Sequence, residues 1–315
     1  MQKILITGSN GMVGSNIIEF EKAKNYILLT PSKKELNLLD RKCVDEYIKE
    51  NQPDIVLHCA GKVGGIQANI AEPVDFLVQN IQMGLNIIMA SYEARIKKII
   101  NLSSSCMYPR KVKNPLGENL ILKGELEPTN EGYAIAKIAL TRLCEYINKE
   151  DKTFQYKTII SCNLYGKYDK FDSQNSHMLA SVISKIYAAK KNNLSYIDIW
   201  GDGKARREFM YVNDLADFIY YGIENFEDMP QNINVGLGKD YTINEYYEAI
   251  AEVIGYEGKF VHDITKPVGM RQKLIDCTKL QSFGWKYKTS LQDGIKKTYD
   301  YYLNEVLNDK QLSTI

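Results

Sequence analysis

The stretch KILITGSNGMVGS, residues 3–15, runs from a short apolar segment through three glycines, with two residues between each and the next, into a helical pattern that begins near Met12. An apolar run without polar alternation reads as a strand buried on both faces. The missing Cβ atoms of Gly8, Gly11 and Gly14 permit a tight turn, let the backbone approach a pyrophosphate and let the helix pack on the strand. The helix N-terminus, around Met12 and Val13, adds N–H donors and the positive end of a dipole. The spacing is GxxGxxG rather than GxGxxG, and a glycine turn alone often only tightens a strand–helix junction. The strand before it and the helix after it point to dinucleotide binding.

Outward from this stretch the pattern repeats. YILLT (26–30), DIVLHCA (54–60) and KKIINLSS (97–104) are further short apolar runs, each separated from the next by enough chain for a crossover helix. That alternation predicts an α/β fold with a doubly wound parallel sheet. It continues through KTIISCNLYG (157–166) and breaks after Gly166, where a polar stretch leads into an amphipathic helix near 178–191. The expected organisation is a dinucleotide-binding domain over 1–166 and a smaller, mainly substrate-binding lobe over 167–315, with some later segments returning to the first domain.

Composition removes several functions. Forty Lys and Arg against 39 Asp and Glu give a net charge of +1, so no global field recruits nucleic acid or an anionic membrane. No apolar run approaches the roughly 18 residues of a membrane span, and the chain enters a strand without an apolar signal core, which predicts a cytoplasmic protein. The six cysteines are scattered, without CxxC pairs or zinc-like His/Cys spacing, and read as free thiols with no metal site.

After the second strand, where an NAD site ordinarily places an acid against the ribose 2′-hydroxyl, stand Thr30, Ser32, Lys33 and Lys34. Ammonium groups and hydroxyls suit a 2′-phosphate, which favours NADP(H); the competing reading is a solvated turn. Asp40 falls where it would reach the adenine, and Ala60, Gly61 and Lys62 follow the third strand along the cofactor's edge.

Tyr133 and Lys137 are four apart in the helical pattern EGYAIAKIALTRLCEYI and share a face. An adjacent ammonium favours the phenolate, so Tyr133 is expected to exchange protons with a carbonyl or alcohol near neutrality, with Lys137 also anchoring the ribose. SSSC, residues 103–106, follows the fourth strand at the carboxyl edge where open parallel sheets bind ligands. A hydroxyl there can polarise the carbonyl that Tyr133 protonates.

Together the glycine turn, the serines and YxxxK resemble the extended short-chain dehydrogenase/reductases. GMVGS, ELNLLD, KVGGI, SSC before YP, EPTNE, YAIAKIA, NLYG, NSH, WGDG, REF and INVG, in this order between residue 4 and about 285, narrow the resemblance to the GDP-fucose synthase family of epimerase-reductases. Two departures are visible: Gly132 where that family has proline, and Ser9–Asn10 where it usually carries an arginine.

The resemblance implies Ser104, Tyr133 and Lys137 as the reductase triad and Cys106 with His177 as the epimerising pair. It further implies Asn163, Leu164 and His177 beside the cofactor, and Ser105, Asn163, Lys185, Trp200, Arg207 and Lys273 toward a GDP-linked keto sugar. A ketone at carbon 4 acidifies the hydrogens on carbons 3 and 5, so a base and an acid on opposite faces would invert both centres before hydride from NADPH reduces carbon 4. Taken alone, Cys106 reads rather as a small core residue and His177 as a helix cap; the resemblance reverses this. A 4-reductase without epimerisation, a related GDP-4-keto-heptose substrate, and a non-catalytic NADP-binding regulator remain as alternatives. Family members pair as homodimers through two helices, here expected near 81–95 and 131–149.

Overall fold

A computed structural model of the chain describes residues 1–171, 176–266 and 268–307; part of the polar stretch after Gly166, residues 172–175, lies outside them. In chain order the first half holds β1 (Lys3–Thr7), α1 (Met12–Glu19), β2 (Ile27–Leu29), α2 (Arg41–Asn51), β3 (Ile55–His58), α3 (Ile66–Ala71), α4 (Pro73–Glu93), β4 (Lys98–Ser104), α5 (Glu131–Glu150), β5 (Gln155–Ser161) and β6 (Asn163–Tyr165). Then come α6 (Met178–Lys191), β7 (Tyr196–Trp200), β8 (Arg206–Arg207), β9 (Phe209–Tyr211), α7 (Val212–Glu224), β10 (Asn232–Val235), β11 (Tyr241–Thr242), α8 (Ile243–Ile254), β12 (Lys259–Asp263), β13 (Gln272–Lys273), α9 (Thr278–Phe283) and α10 (Leu291–Tyr301).

Six parallel strands form the central sheet in the order β10-β5-β4-β3-β1-β2. Side chains of successive strand residues leave opposite faces, so Ile4, Ile6, Ile55, Leu57, Ile100 and Leu102 feed one core with α1 and α7. Leu5, Val56 and Ile99 feed the other, with α2, α4 and α5. Both faces are covered, which is why these strands read as unbroken apolar runs. On the second face α4 and α5 pack without an intervening side chain at Gly84, where a Cβ would lie 2.1 Å from Leu140 Cδ1. Strand order reverses at β1, with β2 on one side and β3 on the other, and this switch opens a crevice at the carboxyl ends of the strands.

The run KTIISCNLYG is not one strand. β5 ends at Ser161, opposite Val235 of β10, and β6 leaves the sheet to pair with β9. Gly166, at φ +144°, then turns the chain toward a third core built from α6, α8, α10 and the inward residues Ile197 and Ile199 of β7. After that excursion α7 and β10 come back to the central sheet.

Candidate active site

The carboxyl edge of the sheet and the inner surface of α6 enclose one cleft of about 1200 Å³. At its cofactor end, Gly8 takes φ +70°, and a Cβ there would sit 2.8 Å from the backbone of Ala60. Gly14 is tighter, since its Cβ would lie 2.3 Å from Gly8 O. Gly11 caps α1 without any side-chain hydrogen bond, so the first N–H groups of the helix stay open to an anion. The cradle fits a pyrophosphate and would not fit one with side chains at these positions. Met12, Val13, Lys33, Ala60, Gly61, Lys62, Asn163 and Leu164 all line the same cleft.

Two residues expected at the cofactor, Asp40 and Lys34, do not line the cleft. Asp40 is the N-cap of α2, its Oδ1 accepting from Lys42 N at 3.0 Å and Cys43 N at 3.3 Å; a carboxylate satisfying a helix end is not presented to adenine. Lys34 does not line the cleft, because the chain turns at Ser32, where Glu35 Oε2 accepts the Ser32 N–H at 2.8 Å. Behind the cleft lies a residue that the sequence reading missed. Buried Asn80 accepts from Lys62 N at 2.9 Å and donates to Lys62 O at 3.0 Å, clamping the loop after β3, while Lys62 Nζ pairs with Glu72 and Asp75.

At the centre, Ser104 ends β4, and Tyr133 and Lys137 face it from one turn of α5. Lys137 Nζ donates to Leu102 O at 2.9 Å and lies 5.7 Å from the Tyr133 ring centre. Burial dominates both groups: it pushes the Tyr133 phenol up, with Cys106 adding to the rise, and brings the Lys137 ammonium down to about 8 against a smaller opposing pull from Cys59. Burial therefore opposes the expected phenolate, and Lys137 is directed to a carbonyl rather than to the phenol.

Cys106 sits at the mouth of this centre. Its sulfur accepts from Asn130 Nδ2 at 3.2 Å and from Lys273 Nζ at 3.6 Å, so Lys273, expected toward the GDP-linked sugar, reaches the thiol. Asn130 carried no signal in sequence beyond its place in EPTNE. Ser105, by contrast, is buried and does not line the cleft, because the turn after β4 points it into the core. His177 lines the cleft from the N-cap of α6, with Nδ1 2.9 Å from Asp169 Oδ1.

Toward the far end, Arg207 donates to Arg206 O at 2.8 Å and Val268 O at 3.0 Å. Among the described residues it pairs with no carboxylate, and burial lowers its pKa. Arg206 points away and pairs with Asp240. Lys185 is held by Asp198 at 2.8 Å, and Trp200 forms part of the rim. Lys33, Lys137, Lys170, Arg207 and Lys273 line the cleft beside the paired Lys62 and Lys185, against Glu127 and Asp169. A nearly neutral protein has thus concentrated positive charge where two phosphorylated ligands would meet.

Such a cleft, with a dinucleotide cradle beside a serine, a tyrosine and a buried lysine, defines an oxidoreductase of carbonyls and alcohols. The chain belongs to the NAD dependent epimerase/dehydratase family, which it matches over residues 4–236. It is 60% identical to the GDP-L-colitose synthase of Yersinia pseudotuberculosis, over 98% of this chain and 100% of that one. With the GDP-L-fucose synthase of Azorhizobium caulinodans it shares 48% identity, over 97% and 98%. A GDP-mannoheptose C4 reductase from Campylobacter jejuni, solved with NADP bound, superimposes with a TM-score of 0.88 at 32% identity, over 96% of this chain and 98% of that one.

Proposed function

We propose that the protein reduces the carbon-4 ketone of a GDP-linked 4-keto-6-deoxy sugar with NADPH, after inverting carbon 5 and, where it bears a substituent, carbon 3. The observation that carries this reading is a thiol and an imidazole, Cys106 and His177, in the same cleft as Ser104 and Tyr133. Bound NADPH would supply the hydride. Ser104 holds the ketone oxygen, Cys106 removes a proton from the carbon beside the ketone, His177 returns one on the other face, and Tyr133 protonates the oxygen as it becomes an alcohol. The names of the two relatives share an L-sugar product, which a D-configured precursor reaches only by inversion at carbon 5. The test is product NMR after incubation with NADPH and GDP-4-keto-6-deoxymannose in heavy water. An L-product labelled beside carbon 4 supports the reading, and unoxidised NADPH refutes it.

The name of the Campylobacter C4 reductase favours a second reading, reduction of a GDP-4-keto-heptose without inversion; a heptose product with no label beside carbon 4 would select it. We divide the chain functionally near Gly166, with α7 and β10 returning to the cofactor side. Exposed Val74, Val78 and Leu85 on α4, and Ile135 and Tyr146 on α5, support a homodimer through these two helices, which sedimentation would measure. No helix among the described residues is long and apolar enough to cross a membrane, in keeping with a cytoplasmic enzyme.

A further inference from the structure

His177 occupies a place hostile to positive charge. It is the N-cap of α6, where the helix dipole opposes a cation. Burial opposes one most strongly, and Lys170 adds to it. Against these stands Asp169. Its Oδ1 lies 2.9 Å from His177 Nδ1, and the pKa of the ring is raised in spite of the opposing influences. The Asp169 side chain is 2% exposed and lines the cleft, and among the described residues its buried Oδ2 has no hydrogen-bond partner. An under-satisfied buried carboxylate attracts a neighbouring imidazolium strongly. The segment carrying it is anchored to α1: Asn16 Nδ2 donates to Lys167 O at 3.0 Å, and Lys167 and Tyr168 both reach Glu19.

We propose that Asp169 is the positioning residue for His177: it fixes the tautomer with a proton on Nδ1, presents Nε2 to the cleft and holds the imidazolium that returns a proton to the sugar. This rests on the function proposed above. The step balances without any oxidant or reductant. The Cys106 sulfur takes the proton, and the C–H electron pair passes into the enolate. A new C–H bond then forms from Nε2–H on the opposite face, leaving its electron pair on Nε2 while Nδ1–H stays on Asp169. Solvent returns the thiol and the imidazole to their starting states. The role had no signature in sequence, because an aspartate eight residues before a histidine in a polar loop is ordinary.

Asp169→Asn keeps the shape and removes the charge. The chain has only three histidines, so nitrogen-detected NMR follows the His177 ring without any substrate, while His58 and His262 report that the variant is folded. The expected result is a His177 titration at least about half a pH unit lower, with a weaker preference for the Nδ1–H tautomer. Deuterium incorporation beside carbon 4 should slow by roughly 10- to 100-fold, and its alkaline limb should move to lower pH. Reduction of a keto sugar supplied already inverted should fall less than exchange does, since that step takes no proton from His177. A wild-type protein that turns over no keto sugar sinks the proposed function and leaves the titration to judge the pair. An unmoved His177 titration overturns the proposal, as does equal slowing of exchange and of direct reduction with an unshifted pH profile.

Discussion

The side-chain amide of Asn130 donates to the sulfur of Cys106 across 3.2 Å. A donor at this distance fixes where the sulfur points. Cys106→Ser should abolish deuterium incorporation beside carbon 4, and Asn130→Ala should slow it by roughly tenfold. Both should still reduce an already inverted keto sugar. Label in the Cys106→Ser product at the wild-type rate would remove the thiol from the mechanism.

Tyr133→Phe removes the phenolic proton and little else, since the ring stays packed in the cleft. kcat should fall by roughly 100-fold or more, with NADPH affinity nearly unchanged. Turnover close to wild type in stopped-flow assays would assign the proton to another group.

The two lysines after β2 separate cleanly. Lys33 lines the cleft and Lys34 does not, so Lys33→Ala should weaken NADPH binding several-fold more than NADH binding, while Lys34→Ala leaves the ratio alone. Calorimetric titrations giving the same cofactor ratio for wild type and Lys33→Ala would show that Lys33 does not read the 2′-phosphate.

Gly14→Ala places a carbon 2.3 Å from Gly8 O, a contact relieved only by moving backbone. Stability should drop by about 1–3 kcal/mol, as for other overpacked sites, and NADPH binding should weaken at least tenfold. Unchanged melting and binding would mean the turn is looser than its geometry.

His58 is buried beside Thr7, Oγ1 to Nδ1 at 2.8 Å, and burial depresses its pKa to about 3, with Lys137 adding to the fall. The unfolded chain takes up this proton below about 6.5, while the native chain refuses it. Wild type should therefore lose stability relative to His58→Asn as pH falls below 6.5, by about 1.4 kcal/mol per unit. Urea unfolding at pH 7.5, 6 and 5 measures the difference, and a constant gap would refute the assignment.

What could be read from sequence followed from local periodicity. Strands covered on both faces leave unbroken apolar runs, so β1 to β5, the start of α1 at Met12 and the full span of α6 were visible, as was the YxxxK face of α5. What escaped depended on side-chain direction or on contacts distant in the chain. Asp40 and Ser105 lie near the right loops but turn into a helix cap and the core. Asn80 reaches Lys62 from the next helix but one, and Lys273 meets Cys106 from 167 positions away. The phenolate expected of Tyr133 rested on the ammonium one turn along the helix; burial, invisible in one dimension, opposes it.

The late return of β10 to the sheet governs the order in which the chain can be made. While only the first 166 residues have emerged from a ribosome, β5 is a bare edge with its N–H and C=O groups unpaired. The ammonium of Lys157 on that strand also lacks the carbonyls of Phe226 and Met229 that receive it in the finished protein. The nascent amino-terminal half thus carries a sticky border and a misplaced charge until residue 235 arrives. Cutting the gene at its apparent domain boundary should yield an aggregating fragment, whereas one extended through α9 regains the missing border.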